Sequence, residues 1–262
     1  MYNIAVLTFF IFLLSTGRIY SETKTLGDWA KYHREADNLC RENKHQESAT
    51  LYRQVIKGRL PLQGNQHRDV GATWNNLGVA LYYQGENDKA QEAYETAIRI
   101  LLPAVGAQHP DILAVQTNLA FIEESKNNFE NAEKLFRDLI KSKLPHVGSE
   151  HPEIADCQEG LALSLIGQEK YEEAETLLAK ALKTRSQKFG DVHTDVGATH
   201  AAMAIIFLNQ ANFDLADKHD ADARKILAST KGTYPANLNP VSRLRPGPAD
   251  LLKAKNKDLR IP

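Results

Sequence analysis

The chain has 262 residues, 42% of them hydrophobic, and its 32 Lys plus Arg nearly balance 33 Asp plus Glu. The hydrophobic share is ordinary for a folded protein. The charge balance leaves no global field to draw the protein to nucleic acid.

The first predicted element is an N-terminal segment. Between Met1 and Leu14 lies an apolar run of about eleven residues. It is too short to span a bilayer comfortably and matches the core of a signal peptide, although no Lys or Arg precedes it. Ser15, Thr16 and Gly17 supply small residues for cleavage after Gly17, with cleavage after Ser21 as the alternative. Residues 1–21 are set aside as a signal peptide, which predicts a secreted or periplasmic protein. The alternative is an uncleaved segment that anchors the chain to a membrane.

From Gly27 onward a 42-residue unit repeats five times without a gap, starting at Gly27, Asp69, Asp111, Glu153 and Asp195. A fixed period of this size means stacked supersecondary units rather than a fold around one centre. One repeat position holds Leu77, Leu119, Leu161 and Met203; the next holds Ala36, Gly78, Ala120, Ala162 and Ala204. A large residue beside a tiny one lets two helices approach closely. A second small position holds Ser48, Ala90, Ala132, Ala174 and Ala216, followed by Tyr52, Tyr94, Phe136 and Leu178, then by Val55, Ala97, Leu139, Ala181 and Ala223. Spacing by three and four is helical. Polar breaks at Glu42-Asn43-Lys44, Gln84-Gly85-Glu86 and Gly167-Gln168-Glu169 predict a turn inside each unit. Gly64, Gly106, Gly148 and Gly190 close the units and fit helix caps that need a left-handed conformation. Pro110 and Pro152 suit a helix's first turn. Each unit reads helix, turn, helix, loop, and the fold class is all-α.

This pattern resembles the tetratricopeptide repeat family, most clearly in Trp74, Leu77-Gly78, Leu81, Ala90, Tyr94 and Ala97. The 42-residue period and the loop runs His109-Pro110-Asp111 and His151-Pro152-Glu153 are similar to kinesin-light-chain-type repeats, with His193-Thr194-Asp195 and His67-Arg68-Asp69 as weaker forms. The resemblance covers residues 27–229. It implies a right-handed α-solenoid of about five helix-turn-helix repeats that binds protein or peptide in its concave groove.

In the last unit Asp220 occupies the position of Tyr52, Tyr94, Phe136 and Leu178. A polar residue there predicts the capped end of the array near Ala228. The tail, 230–262, is different. From Lys231 it carries seven Lys or Arg, two Asp and five prolines, and proline blocks helix. It is expected to be largely extended or disordered, with a short helix possible from Ala249 to Leu259. The only cysteines, Cys40 and Cys157, fall in the first and fourth units. Units that advance on the order of 10 Å each hold them too far apart for a disulfide, which needs Cα atoms within about 7 Å.

Chemistry is sparse. There is no Gly-x-Ser-x-Gly elbow and no phosphate loop. Adjacent carboxylates such as Glu123-Glu124 and Glu172-Glu173 diverge on a helix and cannot flank one bond. The ladder His67, His109, His151 and His193 is spread too widely for one metal, whose ligands sit near 2 Å from it; its rings are expected to cap backbone groups where units meet. No catalytic residue, metal site or cofactor is predicted, so the protein is expected not to be an enzyme.

What is left is the concave wall, formed in this architecture by the first helix of each unit. Its candidates for a peptide-binding groove are Arg34, Arg41, Asn75, Asn76, Tyr82, Asn118, Leu163 and Ile205. A carboxamide offers donor and acceptor together, so Asn76 and Asn118 suit the backbone of an extended peptide; Arg34, Gly160 and Ala202 break that row. The ligand's acidic part is expected toward the first unit, beside His33, Arg34 and Arg41. Its apolar part is expected toward Leu163, Ile166, Ile205 and Leu208. The expected partner is a protein or peptide and not nucleic acid, with membrane contact only through an uncleaved N-terminus or the basic tail. The alternative is a spacer subunit of an envelope-associated assembly with no groove ligand.

Overall fold

A computed structural model describes residues 24–230. The readings of residues 1–21 as a signal peptide and of 231–262 as an extended tail lie outside them. Among the described residues the chain forms ten α-helices in five pairs and no strand. The pairs are α1 (Leu26–Arg41) with α2 (His45–Gln63), α3 (Arg68–Tyr83) with α4 (Asn87–Val105), α5 (Pro110–Ser125) with α6 (Phe129–Val147), α7 (Pro152–Gly167) with α8 (Tyr171–Phe189), and α9 (Thr194–Asn209) with α10 (Phe213–Ser229).

The starts of the first helices are set by side chains that satisfy orphan N–H groups. At α1, Thr25 Oγ1 accepts from the Asp28 N–H, and Asp28 Oδ2 accepts from the Thr25 N–H at 2.7 Å. This is a capping box. In the other four repeats a histidine does the work. Nδ1 of His67, His109, His151 and His193 accepts from the N–H of Asp69, Asp111, Glu153 and Asp195 at 3.1, 3.1, 3.3 and 3.2 Å. The histidine ladder is therefore a set of N-caps, and Pro110 and Pro152 occupy first-turn positions behind it.

The ends are set by glycine, in a form the sequence does not foretell. Gly64, Gly106, Gly148 and Gly190 have φ of 83, 83, 81 and 82° with ψ of 169, 162, 165 and 164°. That is not the left-handed helical region but a region essentially closed to residues with a Cβ. Left-handed residues occur instead inside the pairs, at Asn43, Gly85, Asn127, Glu169 and Ala211 (φ 57 to 76°). The fourth turn is thus Gln168-Glu169-Lys170, one residue later than Gly167 suggests. Gly167 serves packing: a Cβ there would lie 2.5 Å from the Phe129 ring.

Small residues let the helices close. A Cβ on Gly78 would meet the Tyr94 ring at 2.5 Å, and one on Gly160 the Phe136 ring at 2.3 Å. The small residues Ala90, Ala132, Ala174 and Ala216 are fully buried. Buried side chains form two groups, from Ala36 to Ile122 and from Leu113 to Ala216, which overlap in the third repeat. No single centre exists, as expected when each repeat buries its apolar side on the next. Cys40 and Cys157 are free thiols. Asp220, in the last helix, is buried, with Oδ2 accepting from Arg224 Nε at 2.7 Å.

Candidate functional site: the concave wall

Side chains from α1, α3 and the first pair's turn converge on a cavity of about 540 Å³. Asp37, Cys40 and Arg41 come from α1, Asn43 from the turn, Tyr52 from α2, and Asn76, Val79 and Tyr83 from α3. Thr194 and Asp195, at the start of α9, line the same cavity. The array therefore curls until its fifth repeat faces its first.

A chain of polar contacts runs along this wall. Asn118 Nδ2 donates to Asn75 Oδ1 at 3.0 Å, Asn75 Nδ2 to Asn76 Oδ1 at 3.3 Å, and Asn76 Nδ2 to Asp37 Oδ1 at 3.2 Å. Tyr52 Oη donates to the same Asp37 oxygen at 2.5 Å. Burial and the Asp37 contact push the Tyr52 phenol's pKa up. Burial pulls His33 down, against the opposing pull of Asp37. The wall's first three repeats are thus cross-linked before any ligand arrives.

The structure puts Arg41 and Asn76 on one cavity and joins Asn75, Asn76 and Asn118 in one chain. Arg34 and Arg41 are exposed, and Asn75, Asn76, Tyr82, Asn118 and Ile205 are half-buried. Arg34 does not line the cavity. Leu163 is a correction: at 6% exposure it belongs to the core and offers nothing to a ligand. The carboxamides are also less free than expected, because each donates to the next. The sequence reading missed Asp37 and Asp195. Asp37 had a signal, since its repeat position otherwise holds Val79, Phe121, Leu163 and Ile205.

The sequence pattern of the tetratricopeptide repeat matches residues 30–102, 69–143 and 148–229. The chain belongs to the tetratricopeptide repeat family. No curated protein matches the sequence significantly. Among solved structures, BtubC (BKLC) from P. vanneervenii is similar with a TM-score of 0.61 at 21% identity, over 80% of this chain and 83% of that one. A protein from Podosopora anserina with nearly identical TPR-like repeats of kinesin-light-chain type gives 0.57 at 22%, over 77% and 95%. PlcR of Bacillus thuringiensis, solved with the peptide PapR7 and DNA, gives 0.60 at 13%, over 84% and 76%. These likenesses establish the tetratricopeptide fold.

The tetratricopeptide repeats are joined by a second set of polar residues that the pattern of apolar positions conceals. One position near the end of each second helix holds Arg59, Leu101, Lys143, Arg185 and Leu227. Arg185 is fully buried. It donates to Glu159, to Asp156 Oδ1 at 2.7 Å, to Thr199 Oγ1 at 2.7 Å and to the Asp195 carbonyl at 3.1 Å. Arg59 repeats the motif in miniature, donating to Thr73 Oγ1 at 3.1 Å and the Asp69 carbonyl at 3.0 Å. Two carboxylates share one guanidinium, and burial raises Glu159 to about 7. Perturbed groups do cluster at active sites, but here Arg185 and Glu159 are fully buried, and the neighbouring Cys157 thiol is pushed up to about 11 by burial. A thiol with so little thiolate is inert. Among the described residues no three His, Cys, Asp or Glu are placed to hold a metal ion, and no helix is long and apolar enough to cross a membrane.

Proposed function

We propose that the protein is a non-enzymatic scaffold, exported from the cytoplasm, that binds a protein or peptide segment along its concave wall. The observation that carries this reading is the open cavity between the first and fifth repeats. An exposed cation, Arg41, stands there beside the Asp37 and Asp195 carboxylates and the Tyr83 ring. Mixed charge in one cavity suits a segment carrying both signs, rather than the purely acidic end expected from Arg34 and Arg41 alone. The half-buried Ile166, Ile205 and Leu208 farther along offer apolar contact. The wall is already cross-linked, so little ordering cost attends binding. PlcR, of similar fold, was solved with a peptide bound.

Affinity capture with the full chain tests the reading. Arg41→Glu is expected to weaken capture of the partner by about tenfold or more, since a desolvated charge contact is worth more than about 1.4 kcal/mol. Glu172→Lys, on an exposed outer position, should leave capture unchanged. Equal loss from both, or from neither, would overturn the groove; silence of every wall variant would favour the envelope spacer. Export rests on residues 1–21, and N-terminal sequencing of protein recovered outside the cytoplasm should begin at residue 18 or 22. Recovery only inside the cell with Met1 intact would refute it.

A further inference from the structure

The near-zero charge sum hides an arrangement that the repeat register exposes. In the last two turns of the second helices, one repeat position holds Lys57, Arg99, Lys141, Lys183 and Lys225, basic in all five repeats and exposed in all five. Some other cations of the same helices are matched: Lys89 meets Glu86 at 2.6 Å, Arg137 meets Glu133 and Glu173, and Arg224 meets Asp220. Among the described residues the five have no carboxylate partner, and Arg99 donates only to the neutral Thr96 hydroxyl. Three residues later on the same face stand Leu60, Leu102 and Leu144, exposed by 37, 43 and 42%. In the fourth repeat that position holds Ser186, and Phe189 and Val192, exposed by 39 and 64%, lie beyond it.

Helix dipoles favour cations near a C-terminus, and that alone could hold the basic row. It gives no reason for a parallel row of large apolar side chains in water. We propose that the two rows form a second binding surface, on the outer side of the solenoid, for an extended acidic polypeptide segment with apolar residues between its carboxylates. The cations stand on the order of 10 Å apart, the advance of one packed helix. That equals about three residues of extended chain at roughly 3.3 Å each, so the ligand carries an acid at every third or fourth position. The apolar row suits a polypeptide better than a nucleic acid, whose backbone offers phosphate without hydrophobic partners. The curl that brings the fifth repeat opposite the first turns the rows about the axis, and a flat bilayer can meet only part of them. A flexible chain can follow them all. Glu95 and Asp138, one turn earlier on α4 and α6, oppose the acid most in the middle repeats.

The test uses the full chain and a fluorescent peptide of five Glu-Leu-Pro triplets, at low and physiological salt. Lys57→Glu/Lys141→Glu/Lys183→Glu is expected to weaken it by about tenfold or more, and the Lys→Gln forms by less, which gives a reading if reversal disturbs folding. Leu60→Ser/Leu102→Ser/Leu144→Ser should weaken it about threefold or more, since each leucine loses apolar contact. Arg41→Glu should change nothing, and this separates the outer surface from the groove. Loss smaller than about twofold on charge reversal would overturn the proposal. So would a silent leucine variant, an equal loss from Arg41→Glu, or tighter binding of phosphatidylserine vesicles or duplex DNA through the same lysines.

Discussion

Arg185→Leu is expected to lower stability by about 3–5 kcal/mol, because it leaves buried carboxylate without its cation. Glu159 is completely buried and has one oxygen already without a partner. The other solution to this junction is built into the same molecule. In the second repeat the position belongs to Leu101, buried opposite Val115, over Gly71, where a Cβ would lie 2.7 Å from the Leu101 side chain. In the fifth, Ile226 and Leu227 lie over Gly197, 3.1 and 3.5 Å from where a Cβ would stand. Arg therefore travels with Thr across the junction, at 59 with 73 and 185 with 199, and Leu travels with Gly beneath it. Transplanting the second repeat's solution, as Ala155→Gly, Asp156→Ala, Glu159→Asn, Arg185→Leu and Thr199→Val together, should recover most of what Arg185→Leu alone loses. A buried ion pair is often replaceable by well-packed apolar groups at little cost, although breaking it is expensive. Urea unfolding checks both arms, with the slope followed as well as the midpoint, since a solenoid can lose one end first. If the single variant costs under about 1 kcal/mol, the cluster is not holding repeats four and five together.

The helix pairs were legible because their signals are local and repeat. A Gly every 42 residues, a His before each acidic first turn and small residues at fixed offsets all act within one unit, and five copies average out the exceptions. What was not legible depends on which positions of neighbouring units touch. Asp37 sits in an otherwise apolar position and reads as noise until Tyr52 and Asn76 are seen to converge on it. Arg185 sits in a half-apolar position for the same reason. Leu163 looked like a groove residue because the wall was inferred from helix face alone, whereas its side chain packs into the buried cluster of the third to fifth repeats. Gly167 misled in the opposite sense, as a glycine kept for an aromatic ring rather than for its backbone. The asparagine chain is the instructive middle case: the residues were visible, but their mutual hydrogen bonds depend on a one-repeat offset, Asn118 to Asn75, that no single unit contains.

Phe136→Ala is expected to cost about 3–5 kcal/mol, the usual penalty for emptying a fully buried aromatic site. Phe136 packs edge-on against Phe121, with centroids 4.9 Å apart, and occupies the space that Gly160 leaves open on α7. Gly160 stands in the row of Asn76 and Asn118, so the interruption of that row has a steric cause. Gly160→Ala alone should cost about 1–3 kcal/mol by overpacking against the ring. One repeat later the same pair of positions is filled by Leu178 and Ala202, both fully buried. Volume has moved from one helix to the other. Phe136→Leu/Gly160→Ala copies that exchange and should be milder than the sum of its two single changes by more than about 1 kcal/mol, a coupling that a double-mutant cycle measures directly. Additive losses would mean that the ring and the glycine do not share one space, and that the close approach of α6 and α7 has another origin. Coupling would place the junction's geometry in side-chain volume, and with it the tilt at which the fourth repeat presents its share of the concave wall.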